Sequence, residues 1–388
     1  MKIPFHRPIF SKKTVDDIES ALSSGWVTTG KKTHIFEEKL CKYLNAQNVV
    51  AVNSCTAALH LGAIVSGLKS SDMYIAPTYT FVSSVEIGEY IGATPLLVDV
   101  DMQTMNLDLN QVADYLKKYG KKVKTIIPVH FSGNPVKMKN LKDISNLYDC
   151  FLLEDAAHAL ESVDDGNKIG DTEDAAAFSF YANKNITTGG EGGAIATNDS
   201  KLADRLRKLS LHGMNKDGWS RFKSNGKWSY DISQLGYKYN LTDIASSIGI
   251  NQLRNINKWH SKRLGISDLY YGGLKSIEGI KLPPEANDLS KDAKHLYIIQ
   301  IRKKLWKISR DDLIVKLNEL GVGTSVHYKP VHMHSYYQNK YGFKVDDFVK
   351  SKNLYESAIS IPMYPDLKNE EILYIIDIIN DLWRKYSI

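Results

Sequence analysis

The chain has 388 residues, 43% of them hydrophobic and 24% charged, which excludes a disordered chain, a collagen and a coiled coil and points to two domains with a large core. Fifty Lys and Arg against 44 Asp and Glu leave a formal charge of +6; the basic residues lie in scattered short clusters with no basic stripe interleaved with aromatics, so a nucleic-acid partner is not expected, while an anionic small molecule suits the sign. Cys41, Cys55 and Cys150 form no C-x-x-C pair, residues 1–10 hold no apolar run, and no stretch approaches the roughly 20 apolar residues of a membrane span, so a cytoplasmic protein is expected.

Short apolar runs alternate with amphipathic stretches over the first two thirds, the signature of α/β layering. Seven strands are predicted, at 49–52, 73–76, 95–98, 125–129, 151–154, 175–180 and 193–197. Several are near-continuous apolar runs, as strands covered on both faces require. Helices are predicted at 56–68, 81–91, 110–118, 138–148 and 201–211. Residues 187–193 are too few for a crossover helix, so the seventh strand is predicted to pair antiparallel. Residues 208–236, rich in Gly, Trp, Ser and Lys and without periodicity, read as a long functional flap. A helical pattern resumes at 241–274, followed by strands at 295–301 and 323–328 and helices at 310–320, 348–358 and 369–385. The expected division is a large cofactor-binding domain over 1–250 and a small α+β domain over 251–388.

Three segments fall at the carboxyl ends of predicted strands, where open α/β sheets place ligands. Asn53-Ser54-Cys55-Thr56-Ala57-Ala58 lies between a strand and a helix; its small and hydroxyl residues suit a phosphate cradle and equally an ordinary helix cap. Leu153-Glu154-Asp155-Ala156-Ala157-His158 puts an acid at the end of a buried strand, which costs desolvation unless a cation or donors meet it. A protonated pyridine nitrogen or a structural salt bridge both answer that need. Lys184 follows the strand Phe178-Ser179-Phe180 and precedes the turn Gly189-Gly190-Glu191-Gly192-Gly193. A lysine so placed can reach a pocket and attack a carbonyl, or stay on the surface. The combination selects among these readings. Phosphate cradle, ring-nitrogen acid and Schiff-base lysine are the parts of a pyridoxal 5'-phosphate site, and Asp155 precedes Lys184 by 29 positions, about one strand–connection–strand unit.

Seven ordered runs then resemble one family over nearly the whole chain: Gly25–Gly30, Asn53–His60, Pro77–Phe81, Glu154–Ala159, Phe178–Gly193, Leu235–Asp243 and His327–His332. The chain is similar to the DegT/StrS nucleotide-sugar aminotransferases, pyridoxal phosphate enzymes of fold type I. That resemblance implies a mainly parallel seven-stranded sheet with a smaller C-terminal α+β domain. It also implies Lys184 as the Schiff-base lysine and Asp155 as the partner of the ring nitrogen. Thr56, Ala57 and Ser179 match the phosphate-binding groups, Phe81 the aromatic over the ring, and His158 the residue beside the cofactor's hydroxyl edge. Asn240 resembles a phosphate ligand donated by a second subunit, which makes the working unit a homodimer with shared sites. Two departures stand out: one extra glycine between Lys184 and Glu191, and Lys238 with Asn240 where the family commonly has Asn followed by Arg.

The spacing of His327, His332 and His334 fits no helix-borne metal pair, and no metal is expected. The resemblance gives His327 and His332, with Thr29 and Gly30, to substrate, and His334 no role. It implies transfer of the amino group of L-glutamate to a keto-sugar, with a 4-keto-6-deoxy sugar nucleotide aminated at C4 as the leading acceptor and UDP as the leading nucleotide. The implied setting is bacterial surface polysaccharide, lipopolysaccharide or amino-sugar biosynthesis. Trp219, Trp228, Lys216 and Arg221 of the flap suit a nucleotide diphosphate, and a solvated loop equally. C3 amination, another nucleotide and a free acidic sugar remain alternatives. Lys184 argues against the dehydratase branch, which carries His in its place. Lys184 and Asp155 together argue against a non-catalytic cofactor-binding regulator.

Overall fold

The computed structural model describes residues 1–215, 229–284 and 290–388. Its main sheet has seven strands in the order β1-β9-β8-β5-β4-β2-β3: β1 (Asn48–Val52), β2 (Met73–Pro77), β3 (Thr94–Val98), β4 (Val123–Ile126), β5 (Phe151–Asp155), β8 (Ala175–Ser179) and β9 (Gly193–Thr197). Between β5 and β8 lies a short antiparallel hairpin of β6 (Val163–Asp164) and β7 (Asn167–Lys168). Strands β3, β2, β4, β5 and β8 run parallel, and β9 is antiparallel to both β8 and β1.

The alternation of side chains explains the apolar runs. Val50 and Val52 pack on one face against Leu59 and Leu61, while Val49 and Ala51 pack on the other against Phe36 and Leu40. Both faces of the sheet are therefore core, which favours apolar residues at successive positions of each strand. The first face is covered by α3 (Cys55–Val65) and α7 (Ser200–Leu209), and the second by α2 (Lys31–Leu44) and the helix Asp243–Arg254. The sequence pattern missed α1 (Lys12–Ser23) and α2, and the predicted 241–274 helix is in fact two, Asp243–Arg254 and Ile256–Leu274, divided at Asn255.

A second, three-stranded antiparallel sheet is made by β10 (Ile280–Lys281), β11 (Tyr297–Ile301) and β12 (Ala358–Ile361). It is backed by the helices Ile256–Leu274 and Asn369–Tyr386 around Tyr270, Ile299, Ile359 and Ile375. The strand predicted at 323–328 is not one: its backbone makes single bridges, Ser325 to Ser360 and Val322 to Ile3. The amino-terminal residues take the remaining bonds, with Ile3 N–H donating to Gly321 O and Gly323 N–H to Ile3 O, each at 2.8 Å. Ile3 is thus part of the small-sheet core, far in sequence from the rest of it. Helix Ile256–Leu274 starts against the large core through Ile256 and Trp259 and ends in the small one through Tyr270 and Leu274. Among the described residues no helix is long and apolar enough to cross a membrane.

Asp243, 3% exposed, ties these layers together. It accepts from the N–H groups of Gly30 (2.8 Å), Lys32 (3.1 Å) and Thr33 (2.9 Å) and from the Thr33 hydroxyl (2.8 Å). These are the orphan donors of the first turn of α2, where a carboxylate also meets the positive end of the helix dipole. Asp243→Ala is expected to cost about 3 kcal/mol, since hydrogen bonds to a charged group are each worth about 1.5–3 kcal/mol and are not additive. Urea unfolding with an unchanged m-value checks this; a loss no larger than that of a surface substitution would show that the cap is dispensable.

Candidate active site

The carboxyl ends of β1, β2, β5 and β8 converge on a cavity of about 430 Å3. At one wall β1 leads into α3. Ser54 caps the helix by accepting from Ala57 N–H at 3.0 Å, and the first-turn N–H groups of Cys55 and Thr56 have no preceding turn to donate to. Gly193, opening β9, lies directly against this turn: a Cβ there would stand 2.5 Å from the Ser54 carbonyl carbon and 2.6 Å from Cys55 N. Only glycine permits that approach, so the glycine-rich run serves the helix terminus as well as the turn after Lys184. Ser54, Cys55, Thr56 and Ser179 all line the cavity.

Asp155 ends β5 and is 4% exposed. One carboxylate oxygen accepts from the Ser84 hydroxyl at 2.6 Å and the other from Ala157 N–H at 3.1 Å. Among the described residues no cation forms a salt bridge with it. Burial therefore raises its pKa above the usual carboxylate value, with the two donors and Lys184 opposing the rise. Lys184, four residues past Phe180, lines the same cavity. Desolvation lowers its ammonium to about 8, against partial support from Cys55 and Asp155. Near neutral pH this amine loses its proton far more readily than a surface lysine does.

Three histidines surround the pair and are neutral. Burial, then the charge of Lys184, holds His158 well below its ordinary value and His327 at about 3; burial and His158 do the same for His295. The tautomer of His158 follows from its partners. Ser132 N–H can only donate, so Nδ1 accepts from it at 3.2 Å, and Nε2–H donates to the Tyr328 hydroxyl at 3.1 Å. The Tyr328 hydrogen is left free for the cavity, and burial raises the pKa of that hydroxyl. His295 lies against His158 with ring centroids 4.4 Å apart. Its Nδ1 bonds Asn185 Oδ1 at 2.9 Å, and Asn185 Nδ2 donates to Glu161, which is paired with Arg263.

A second cavity of about 710 Å3 adjoins the first. The two share Thr80, Phe81 and Tyr328, and the larger is also walled by Glu86, Tyr90, Lys329, His334 and Tyr336. Phe81, Tyr90 and Tyr336 are each more than half exposed there.

Of the residues singled out in the sequence, the structure brings Thr56, Phe81, Asp155, His158, Ser179, Lys184 and His327 to one cavity. Ala57 is buried behind it with its N–H taken by Ser54. His332 does not reach it. That residue is wholly buried, its Nε2–H donates to Val345 O at 3.2 Å and its Nδ1 meets the Thr78 hydroxyl at 2.7 Å. Both nitrogens are spent on structure, so the expected substrate contact is corrected to a tie between two loops. Thr29, Gly30 and Asn240 form a separate cluster, in which Asn240 Nδ2 donates to Thr29 Oγ1 at 2.7 Å and Thr29 donates to Leu241 O at 2.5 Å. The flap residues Lys216, Trp219, Arg221 and Trp228 lie outside the described residues. Ser84, Cys55, Glu191 and Tyr328 were not singled out as site residues. Tyr328 was visible only as a member of the 327–332 run, and Ser84 reads in sequence as an ordinary first-turn serine.

Residues 8–380 match the DegT/DnrJ/EryC1/StrS aminotransferase family. The chain belongs to this family. It is 36% identical over 381 residues to the spore coat polysaccharide biosynthesis protein SpsC of Bacillus subtilis, covering 98% of this chain and 97% of that one. It is 31% identical over 384 residues to the UDP-4-amino-4-deoxy-L-arabinose–oxoglutarate aminotransferase of Shewanella sediminis, covering 98% of each. The structure of the candidate sugar aminotransferase Spr1654 of Streptococcus pneumoniae, in its PMP form, superposes with a TM-score of 0.91 at 30% identity, covering 99% of this chain and 100% of that one. The protein is thus a pyridoxal phosphate-dependent aminotransferase of fold type I. Its cavity fits that cofactor: a buried carboxylate without a cation stands opposite a helix start with free N–H groups, and a lysine of lowered pKa lies beside them.

The lowered lysine pKa has a consequence for stability. A folded-state value of about 8 against 10.5 unfolded means the folded apoprotein binds fewer protons between those pH values. The penalty is full below about pH 8 and disappears as pH rises through about 10.5. Lys184→Met apoprotein is expected to be more stable than wild-type apoprotein at pH 7, with the gap closing towards pH 10. Urea midpoints across that range measure it, and a gap independent of pH would refute the lowered value.

Proposed function

We propose that the enzyme transfers the amino group of L-glutamate to C4 of a 4-keto-6-deoxy sugar nucleotide, with UDP as the nucleotide, in the cytoplasm, for a bacterial surface polysaccharide. The observation that carries the aminotransfer is the juxtaposition, in one cavity, of the cation-free Asp155 carboxylate and the Lys184 amine of lowered pKa. The acceptor rests on the relatives. One is named for a UDP-linked 4-amino sugar with oxoglutarate as its co-substrate, and another for spore coat polysaccharide biosynthesis. The adjoining 710 Å3 cavity offers exposed aromatics and Lys329, groups that suit a base and a diphosphate.

In this reading the first turn of α3, with the Thr56 hydroxyl and Ser179, holds the cofactor phosphate, since free N–H groups and the helix dipole favour an anion. Asp155 holds the ring nitrogen in its protonated form, and Ser84 and Ala157 fix the carboxylate. His158 stands at the hydroxyl edge, and Phe81 covers the ring. When bound, pyridoxal phosphate supplies a carbonyl for amine capture and a ring that takes up electrons from the adjacent carbon–hydrogen bond. Lys184 does the proton work: its neutral Nζ accepts the proton from the α-carbon of the donor and returns one to the sugar carbon. A base of pKa near 8 is well matched to both directions. His327 and the Tyr328 hydroxyl line the acceptor's entry, where they bind sugar hydroxyls.

The Thr29–Asn240 cluster lies outside its own chain's cavity, which supports its service to the site of a second subunit in a homodimer. Mixing Lys184→Ala chains with Asn240→Ala chains then restores about a quarter of wild-type activity, because random exchange makes half the two-fold dimers hybrid, each with one complete site. Absence of any recovery, or a fully active monomer in sedimentation, would remove the shared site.

The substrate assignment is tested with a panel of 4-keto and 3-keto sugars on UDP, dTDP and GDP, supplied with L-glutamate, with products identified by mass and NMR. The UDP-linked 4-keto sugar is expected to give the highest kcat/KM. A preference for a 3-keto sugar would overturn the regiochemistry and leave the aminotransfer standing.

A further inference from the structure

Lys184 and Asn183 border a third space, a chamber of about 20 Å3 that shares only these two residues with the main cavity. Its other walls include His6, Arg263 and His295. Three buried polar atoms around it have no partner: His6 Nε2, Asn183 Oδ1 and Arg263 Nε. Arg263 is 2% exposed and its guanidinium is otherwise committed to Glu161. Leaving three such atoms unpaired costs roughly 1–3 kcal/mol each, so something fills the chamber.

The chemistry of the three atoms selects the occupant. Arg263 Nε–H is a donor. Asn183 Oδ1 is an acceptor. The His6 ring is held neutral, at a pKa of about 4, chiefly by burial and then by Arg263, so its Nε2 is either a bare acceptor or an N–H donor. A single water can accept from Arg263 Nε–H, donate to Asn183 Oδ1 and meet His6 Nε2 in either sense. An anion would face the Asn183 lone pairs, and a metal ion would face the Arg263 N–H. A chamber of about 20 Å3 passes the roughly 10–15 Å3 needed for one water and leaves no room for a larger ligand.

We propose that this chamber is a water site, and that through the water and Asn183 His6 acts as a positioning residue for the adjacent Lys184. The amino-terminal segment is built to deliver it. Ile3 is fixed in the small-sheet core, the Phe5 ring lies 5.6 Å from that of His327, and Ile9 O accepts from Gln252 Nε2 at 2.6 Å. The segment therefore lies along the chamber that borders Lys184 and also packs on the His327 ring. The inference rests on Lys184 as the reactive lysine.

Crystals of the holoenzyme that resolve ordered solvent should show one water within about 3.2 Å of all three atoms. A dry chamber, or a peak lacking these contacts, overturns the proposal, whichever lysine carries the cofactor. Borohydride reduction and peptide mapping test the lysine separately. His6→Phe is expected to lose the water, to speed amide exchange in residues 181–185, and to lower kcat about 10²-fold with KM nearly unchanged, as a displaced reacting group does. His6→Gln, whose carboxamide can meet the water in either sense, should recover most of that loss. Unchanged kcat in His6→Phe, or no more activity in His6→Gln than in a folded His6→Ala, also overturns it; the His6→Gln and His6→Ala comparison stands even where His6→Phe does not fold.

Discussion

A carboxylate buried without a cation is the constraint around which this molecule is arranged. Asp155 stands at the end of a central strand, and among the described residues its carboxylate accepts from a serine hydroxyl and one backbone N–H. An ionised carboxylate in such a place is costly unless a positive group arrives. The sheet is apolar over most of both faces, and the acid that β5 buries within its length, Glu154, is met by His130 at 3.1 Å. At the carboxyl end of the strand, where the layers part, Asp155 has no such partner among the described residues. The same geometry puts the α3 terminus and Lys184 beside it, since β1 and β8 end at the same edge. The cavity is therefore a consequence of sheet topology, and a carboxylate without a cationic partner suits the ring nitrogen proposed to meet it.

That topology explains what the sequence revealed. All seven main-sheet strands were legible, because burial on both faces writes short, near-continuous apolar runs. The antiparallel turn of β9 was legible because seven residues cannot carry a crossover. Asp155, Lys184 and Thr56 were legible as a set because their positions relative to strand ends are local facts. What failed was information held by distant partners. Residues 323–328 read as a strand, yet their bonds are split between Ile3, more than 300 residues away, which takes Gly323, and Ser360, which pairs with Ser325. Helix α1 buries Thr14 and Ala21 while its Val15 and Leu22 are exposed, and α2 buries Thr33 and Glu37 beside Phe36, Leu40 and Leu44, so apolar pattern and buried face do not coincide. Asn255 divides a pattern whose periodicity continues across it.

His332 and Tyr328 show the same limit within one run. Both are polar aromatic residues in the same short segment, and sequence alone ranks the histidine first as a ligand. The structure reverses the order. Thr78 and Val345 consume both nitrogens of His332, whereas Tyr328 receives its hydrogen bond from His158 and keeps its own hydrogen for the cavity. Which side chain is free depends on what packs behind it, and that is not written in the segment.

The electrostatics around Lys184 bear on the proton transfer proposed for it. Neutral His158, His295 and His327 cannot serve as acids near neutral pH, because burial and the lysine charge keep their values far below it. Burial raises Cys55 and Tyr328 and keeps them protonated. Each of these groups can hold a hydrogen bond in a fixed sense, and none can exchange a proton with a substrate carbon at that pH. Lys184, lowered to about 8, can shed its proton near neutrality, which suits the proton transfer proposed for it, while the neutral groups around it suit fixed hydrogen bonds.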